Sequence, residues 1–186
     1  MQADWEVEIG GDAPVIESRW PGFVDLRRDP EHARQLPEAK GLPGLAEALA
    51  RLNAAASTVW TSKCDVWRVV DFTEFDPDEL DAPPGCATHA MACYIDLLPR
   101  CIGQWATPDL AIAACKDACG VLSAIPLRCC RLDLVIRRAL LEADRIDLGI
   151  TAYLTACGLS EGESMHALRD ALAALSGAVC PRAGNQ

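Results

Sequence analysis

Val59-Trp60-Thr61-Ser62-Lys63-Cys64-Asp65-Val66-Trp67-Arg68-Val69-Val70 is rich in Val, Trp and Thr, side chains that fit a pleated, half-buried surface. With Ser57 and Thr58 in front of it, the stretch predicts a strand from Ser57 to Val70. Thr88 to Leu98 reads as its partner. Ahead of the pair, Leu45, Leu49 and Leu52 recur at i, i+4 and i+7, with Pro43 at the first helical position, so a helix precedes the two strands.

The same order returns farther along. Pro108 to Ser123 is helical, with Leu110, Ala114, Ala118 and Leu122 expected on its buried side. Leu127 to Arg138 and Leu148 to Cys157 read as strands. Ser160 opens a last helix, where Ser160 and Glu163 form a capping box and Leu168, Leu172, Leu175 and Val179 mark the buried stripe. The residues repeat as well as the order. Lys63-Cys64-Asp65-Val66 matches Arg131-Leu132-Asp133-Leu134, and Ala92-Cys93-Tyr94-Ile95 matches Thr151-Ala152-Tyr153-Leu154. The expected fold is α+β: a two-layer sandwich, an antiparallel sheet with helices on one face, built from a duplicated helix–strand–strand unit. The chain reads as one domain over residues 1–186. An N-terminal strand and loop region fills 1–40, the two units fill 41–100 and 104–158, and the last helix fills 159–180. In the N-terminal region Trp5, Val7 and Ile9 alternate with Glu6 and Glu8 as a half-buried strand, and Phe23 to Leu26 reads as a short one.

This order resembles two known groups in topology. One is the GyrI-like and SOUL folds, which duplicate a strand–helix–strand–strand unit and often bind ligands across the pseudo-twofold. The other is the type III secretion chaperone fold, which is small and acidic. The first resemblance implies a ligand site between the repeats, and the second implies a homodimer. Both are likenesses of topology, and topology alone does not carry function.

Period-2 sorting assigns the strand residues to faces. Trp60, Ser62, Cys64 and Val66, with Cys130, Leu132, Leu134 and Ile136, are expected to meet the helices. The alternate positions share a basic-x-Asp pair. The other face would then carry Lys63, Asp65, Trp67, Tyr94, Asp96, Arg131, Asp133, Arg137 and Tyr153, with Thr151 and Thr155 beside them. Trp and Tyr over a polar sheet make a ligand floor. The plainer reading is a solvated face of cross-strand ion pairs, each worth under about 1 kcal/mol. If the two matching strands are neighbours, Lys63 falls opposite Asp133 and Asp65 opposite Arg131.

The 186 residues are 51% hydrophobic and 24% charged, which suits a globular chain with its own core. A net charge of -10 argues against nucleic acid and anionic membranes and suits a basic partner. The first residues, Met1-Gln2-Ala3-Asp4-Trp5-Glu6, have no basic or apolar leader pattern, so the expected compartment is cytoplasmic. There the ten cysteines stay reduced and pack as small hydrophobes. Cys86, His89, Cys93 and Cys101 are the nearest approach to a metal set. They fail on spacing, because four residues along a strand span about 13 Å at ~3.3 Å each. Cys115 and Cys119 share a helix side and read as packing. No cofactor or metal is expected. The acidic stretch Asp71, Glu74, Asp76, Asp78, Glu79 and Asp81 lies in a loop expected over 71–87 and reads as a solvated connection.

No catalytic motif is present. The leading expectation is a non-catalytic binding or interaction domain, taking an unknown small molecule or protein on the polar-aromatic face. The alternatives are a small enzyme using a cysteine or the Asp65/Asp133 pair, and an acidic chaperone-like homodimer.

Overall fold

The computed structural model describes residues 1–42, 44–70, 76–141 and 145–180. Pro43, Asp71 and Glu74 lie outside them. The fold is mixed α/β. Its strands are β1 (Gln2–Glu8), β2 (Val15–Glu17), β3 (Val59–Val69), β4 (His89–Pro99), β5 (Cys130–Leu140) and β6 (Ile146–Gly158). Its α-helices are α1 (Pro37–Gly41), α2 (Leu45–Asn53), α3 (Pro108–Ser123) and α4 (Glu161–Val179). Short 3-10 turns occupy Pro30–Gln35 and Pro77–Leu80. One sheet takes all six strands in the order β1-β5-β6-β4-β3, with β2 beside the far end of β5.

The sheet is mixed rather than purely antiparallel. β3, β4, β6 and β5 pair antiparallel, but β1 and β2 both run parallel to β5. Parallel neighbours need a long crossover, and the whole first helix–strand–strand unit supplies it. A second correction follows from the same order: β3 and β5 are not neighbours, because β4 and β6 lie between them.

The core lies between one sheet face and α2, α3 and α4. Leu45, Leu49 and Leu52 of α2 pack into the cluster that holds Ile95, Leu97, Leu132, Ile136 and Leu154 from the strands. Leu168, Leu172 and Leu175 of α4 join it, with Val179 half-buried against its edge. The Ser160 hydroxyl accepts from Glu163 N at 3.2 Å, and the Glu163 carboxylate reaches back to Leu159 N at 2.9 Å. The N-terminus of α4 is therefore capped from both directions. On α3 the buried stripe is Ala111, Cys115, Cys119 and Leu122, whereas Leu110 is exposed. The two cysteines count as core residues, which turns the helix by one position from the stripe drawn through Leu110, Ala114 and Ala118. Among the described residues no helix is long and apolar enough to cross a membrane.

β3 changes phase partway along. Thr61 pairs with Leu97 and Cys64 with Ile95, so Ser62 and Lys63 form a bulge. Asn53, at the end of α2, holds the segment before the bulge. Its side-chain NH2 donates to Thr61 Oγ1 at 2.7 Å, and its carbonyl oxygen accepts from Thr61 N at 3.1 Å. Thr61 thereby faces the helices, and Trp60 is turned to the opposite side, against the expectation from strict alternation. There Trp60 packs with Ile16, Leu98, Ala139, Leu141 and Phe23.

That small cluster belongs to residues 15–27, which cover one end of the open sheet face. Ser18 N donates to Leu140 O at 3.0 Å, and the Ser62 hydroxyl donates to Glu17 O at 2.6 Å, so this segment reaches from β5 across to β3. A Cβ on Gly149 would lie 2.8 Å from Ile16 Cδ1 and 2.9 Å from Leu98 Cδ2, so only glycine leaves room for the crossing. Phe23 to Leu26 is not a strand. Its backbone closes local turns, as in Phe23 N to Trp20 O, and the Phe23 ring meets the Trp60 ring edge-on at 6.2 Å. The other end of the face is covered by residues 76–82. Leu80 there is buried with Val69, Ala90, Ala92 and Cys157. This part of the acidic stretch is therefore docked on the sheet rather than a free solvated connection.

Candidate functional site

Between these two covers the open face of the sheet is a trough. Register places Asp133, Tyr153, Tyr94 and Asp65 on one row across β5, β6, β4 and β3. Residues opposite one another in antiparallel strands point to the same side, so the row forms one floor. The next row toward residues 76–82 is Arg131, Thr155, Ala92 and Trp67; the next toward residues 15–27 contains Val135, Thr151 and Asp96. The rings of Trp67 and Tyr94 lie 6.3 Å apart, and those of Tyr94 and Tyr153 6.0 Å apart, both tilted. Such pairs add about 0.5–1.5 kcal/mol beyond their buried area. Trp67 still presents 37% of its surface to solvent.

A polar chain runs beside the rings. Glu8 of β1 accepts from both Nε and Nη2 of Arg137, at 2.8 and 2.6 Å. Arg137 Nη1 donates to the Tyr153 hydroxyl at 2.9 Å and to Thr151 Oγ1 at 3.3 Å, and Thr151 Oγ1 donates to Asp96 at 2.7 Å. Asp96 is 6% exposed. Burial raises its pKa above the ordinary carboxylate value, partly offset by the Thr151 hydrogen bond and the charges of Lys63 and Arg137. Burial, with the charges of Asp96 and Asp65, pushes the Tyr94 hydroxyl up to about 12. Burial works against the charge of Arg137, but Tyr153 and Glu8 outweigh it and its pKa is raised.

The charges near the two row ends are arranged differently. Arg131 Nε donates to both oxygens of Asp133 at 2.8 and 2.9 Å, and Arg131 Nη1 lies 3.1 Å from Glu79. The Asp133 hydrogen bond holds the Arg131 pKa up. Lys63 sits in the bulge with its ammonium 3.6 Å from Glu17 and 5.8 Å from the Trp20 ring. Asp65 accepts only from Val66 N, at 2.7 Å, and among the described residues no cation pairs with it. The expected pairs Lys63–Asp133 and Asp65–Arg131 are therefore absent, since the strands carrying them are three places apart. At the β1 side a cleft of about 250 Å³ is lined by Asp4, Glu6, Asp76, Glu79, Arg131 and Asp133.

All nine residues singled out in the sequence belong to strands of this one sheet. Glu8 and the carboxylates of the cleft were not among them. Alternation in β1 does set Asp4, Glu6 and Glu8 on one side; what the alternation lacks is any sign that β1 lies beside β5. Cys86, His89, Cys93 and Cys101 are separated: Cys93 is in the core, His89 is exposed against the Thr88 hydroxyl, and Cys101 is exposed. Among the described residues no group of three or more His, Cys, Asp or Glu is placed to hold a metal ion. Comparison with models of known protein families, with curated proteins and with solved structures finds no match to this chain.

Proposed function

We propose that the protein is a binding domain whose open sheet face takes a basic protein segment, with a ligand guanidinium or ammonium seated at Asp65 between Trp67 and Tyr94. One observation carries the reading. On β5, Asp133 is clamped by Arg131; on β3, Asp65 holds the corresponding row position beside two aromatic rings, with no cation paired to it among the described residues. A carboxylate flanked by aromatic faces suits a charge-assisted hydrogen bond together with a cation–π contact. The far end of the row points the same way, since Asp4 and Glu6 add negative charge from β1. Asp65 and Trp67 are both exposed, which favours a segment lying on the surface over an enclosed small molecule. The row also supports reading the two α-β-β units as a duplication, with the Tyr94–Tyr153 pair at its pseudo-twofold.

Titration of an arginine-rich peptide, followed by tryptophan fluorescence, tests this. Binding should weaken steeply with salt, and Asp65→Lys or Trp67→Ala should each reduce affinity at least tenfold, about 1.4 kcal/mol. An affinity unchanged by Asp65→Lys would place the ligand elsewhere.

A second reading, a small enzyme, draws support from Asp96, a buried carboxyl with a raised pKa such as proton transfer uses. The Asp65/Asp133 pair does not support it: three strand spacings of about 4.8 Å separate those residues, too far to act on one atom. Nor do Cys64 and Cys157, since burial raises both thiols to about 12 and so disfavours either as the initiating nucleophile.

A further inference from the structure

We propose that Cys129 and Cys157 form a reversible disulfide, making the end of the β5–β6 pair a site of thiol oxidation. Cys130 pairs with Ala156 in the register of β5 and β6, which sets Cys129 and Cys157 opposite each other one step beyond. Cys157 N donates to Cys129 O at 2.9 Å, so the ladder continues through this pair. Residues opposite one another in a hydrogen-bonded antiparallel pair have Cα atoms about 5.5 Å apart, inside the window a disulfide needs. Both side chains belong to one apolar cluster with Val69, Leu80, Ala82 and Ala90, so they lie on one side of the sheet. Cys129 also adopts φ +60°, the left-handed region that non-glycine residues seldom occupy, and such backbone strain recurs at reactive and switching positions.

The two thiols have different roles. Cys129 is half-exposed and borders an open cleft of about 340 Å³, whereas Cys157 is 1% exposed. A low-molecular-weight disulfide, such as oxidised glutathione, therefore meets Cys129 first. The Cys129 thiol loses its proton and its sulfur attacks one sulfur of the oxidant, releasing one glutathione thiolate. Cys157 then loses its proton and attacks the Cys129 sulfur, releasing the second. Two protein thiols are oxidised to one disulfide, and the reagent disulfide is reduced to two thiols. The bond would form within the same cluster that seats Leu80, and so would fasten the end of the sheet on which residues 76–82 rest.

The test uses the full chain, reduced, freed of reductant and equilibrated with oxidised glutathione, then alkylated and weighed. The expected product is a monomer that carries two fewer alkyl groups than the reduced form, the two being regained when dithiothreitol is applied before alkylation. Its peptide map should join the Cys129 and Cys157 peptides. Cys129→Ser should abolish the bond and Cys101→Ser should leave it. Retention of all thiols, a stable glutathione adduct without the bond, or a map joining Cys86 or any other cysteine to either partner would each overturn the proposal. The wild-type map decides the matter even if a variant folds poorly.

Discussion

β5 and β3 carry the same short pattern, a basic residue two before an aspartate, and the sheet treats the two copies differently. β5 lies inside the sheet, flanked by β1 and β6, and its Arg131 stays in strand register and closes on Asp133. β3 is an edge strand, and a bulge at Ser62 and Lys63 moves the basic residue away to Glu17. One aspartate is thereby neutralised within the molecule and the other is left exposed beside Trp67. A bulge at an edge blunts pairing with another chain and re-aims side chains, and here it turns Lys63 toward Glu17 rather than Asp65. The same basic-x-Asp pattern is thus closed into an ion pair on one strand and opened by a bulge on the other.

The apolar side of the two strands sets the largest test of that difference. Leu132 of β5 is fully buried, while Cys64, its counterpart on β3, is half-buried. Leu132→Ala should cost about 2–5 kcal/mol, the range for deleting a buried leucine side chain. Cys64→Ala should cost about 1 kcal/mol, as an ordinary substitution does. Urea unfolding of the two variants measures both. Equal losses would mean that β3 is as deeply packed as β5 and that the contrast between edge and interior is wrong.

Much of this contrast was legible in the residues. Period-2 patterning located the four antiparallel strands, and the Asp65/Asp133 and Tyr94/Tyr153 matches fall on one row of the sheet. What patterning could not reach was anything set by contacts distant in sequence. The bulge depends on Asn53 capturing Thr61, and Asn53 gives no signal of that in its own helix. The place of β1 depends on a crossover around a whole unit, which its alternation does not encode. On α3, counting Cys115 and Cys119 as apolar would have given the true stripe. Leu80 was a cue in the acidic stretch that a segment so charged would dock.

Asp96 supplies a pH-dependent test of the central part of the face. Its folded pKa lies above the ordinary value of about 3.9 for an unfolded aspartate. Between those two values the folded protein holds a proton that the unfolded chain has released. Stability therefore falls as pH rises through that window and stays lower above it. Asp96→Asn keeps an oxygen for the Thr151 hydroxyl and removes the titration. The variant should melt higher than the wild type at neutral pH, with the difference shrinking as pH falls toward about 4. Thermal melts across that range check it. A variant less stable at neutral pH, or a difference independent of pH, would show that Lys63 and Arg137 outweigh burial at this site.

The smallest expected effect bears most directly on how the two strands relate. If Asp65 and Arg131 were cross-strand partners, reversing one charge would cost about 1 kcal/mol and reversing the second would restore it. The sheet order separates them by β4 and β6, and Arg131 is already engaged by Asp133 and Glu79. Sites more than about 7–10 Å apart with no shared partner add to within roughly 0.5 kcal/mol. A double-mutant cycle on Asp65→Lys and Arg131→Asp should therefore give a coupling energy under about 0.5 kcal/mol. Arg131→Asp alone should still be destabilising, because it sets a third carboxylate between Asp133 and Glu79, and Asp65→Lys alone should be close to neutral because no described residue forms an ion pair with Asp65 at this exposed edge. A coupling near 1 kcal/mol would mean that the row ends communicate across the aromatic floor. The assignment of Asp65 as a position awaiting an outside cation would then fail, since it would already be satisfied from within.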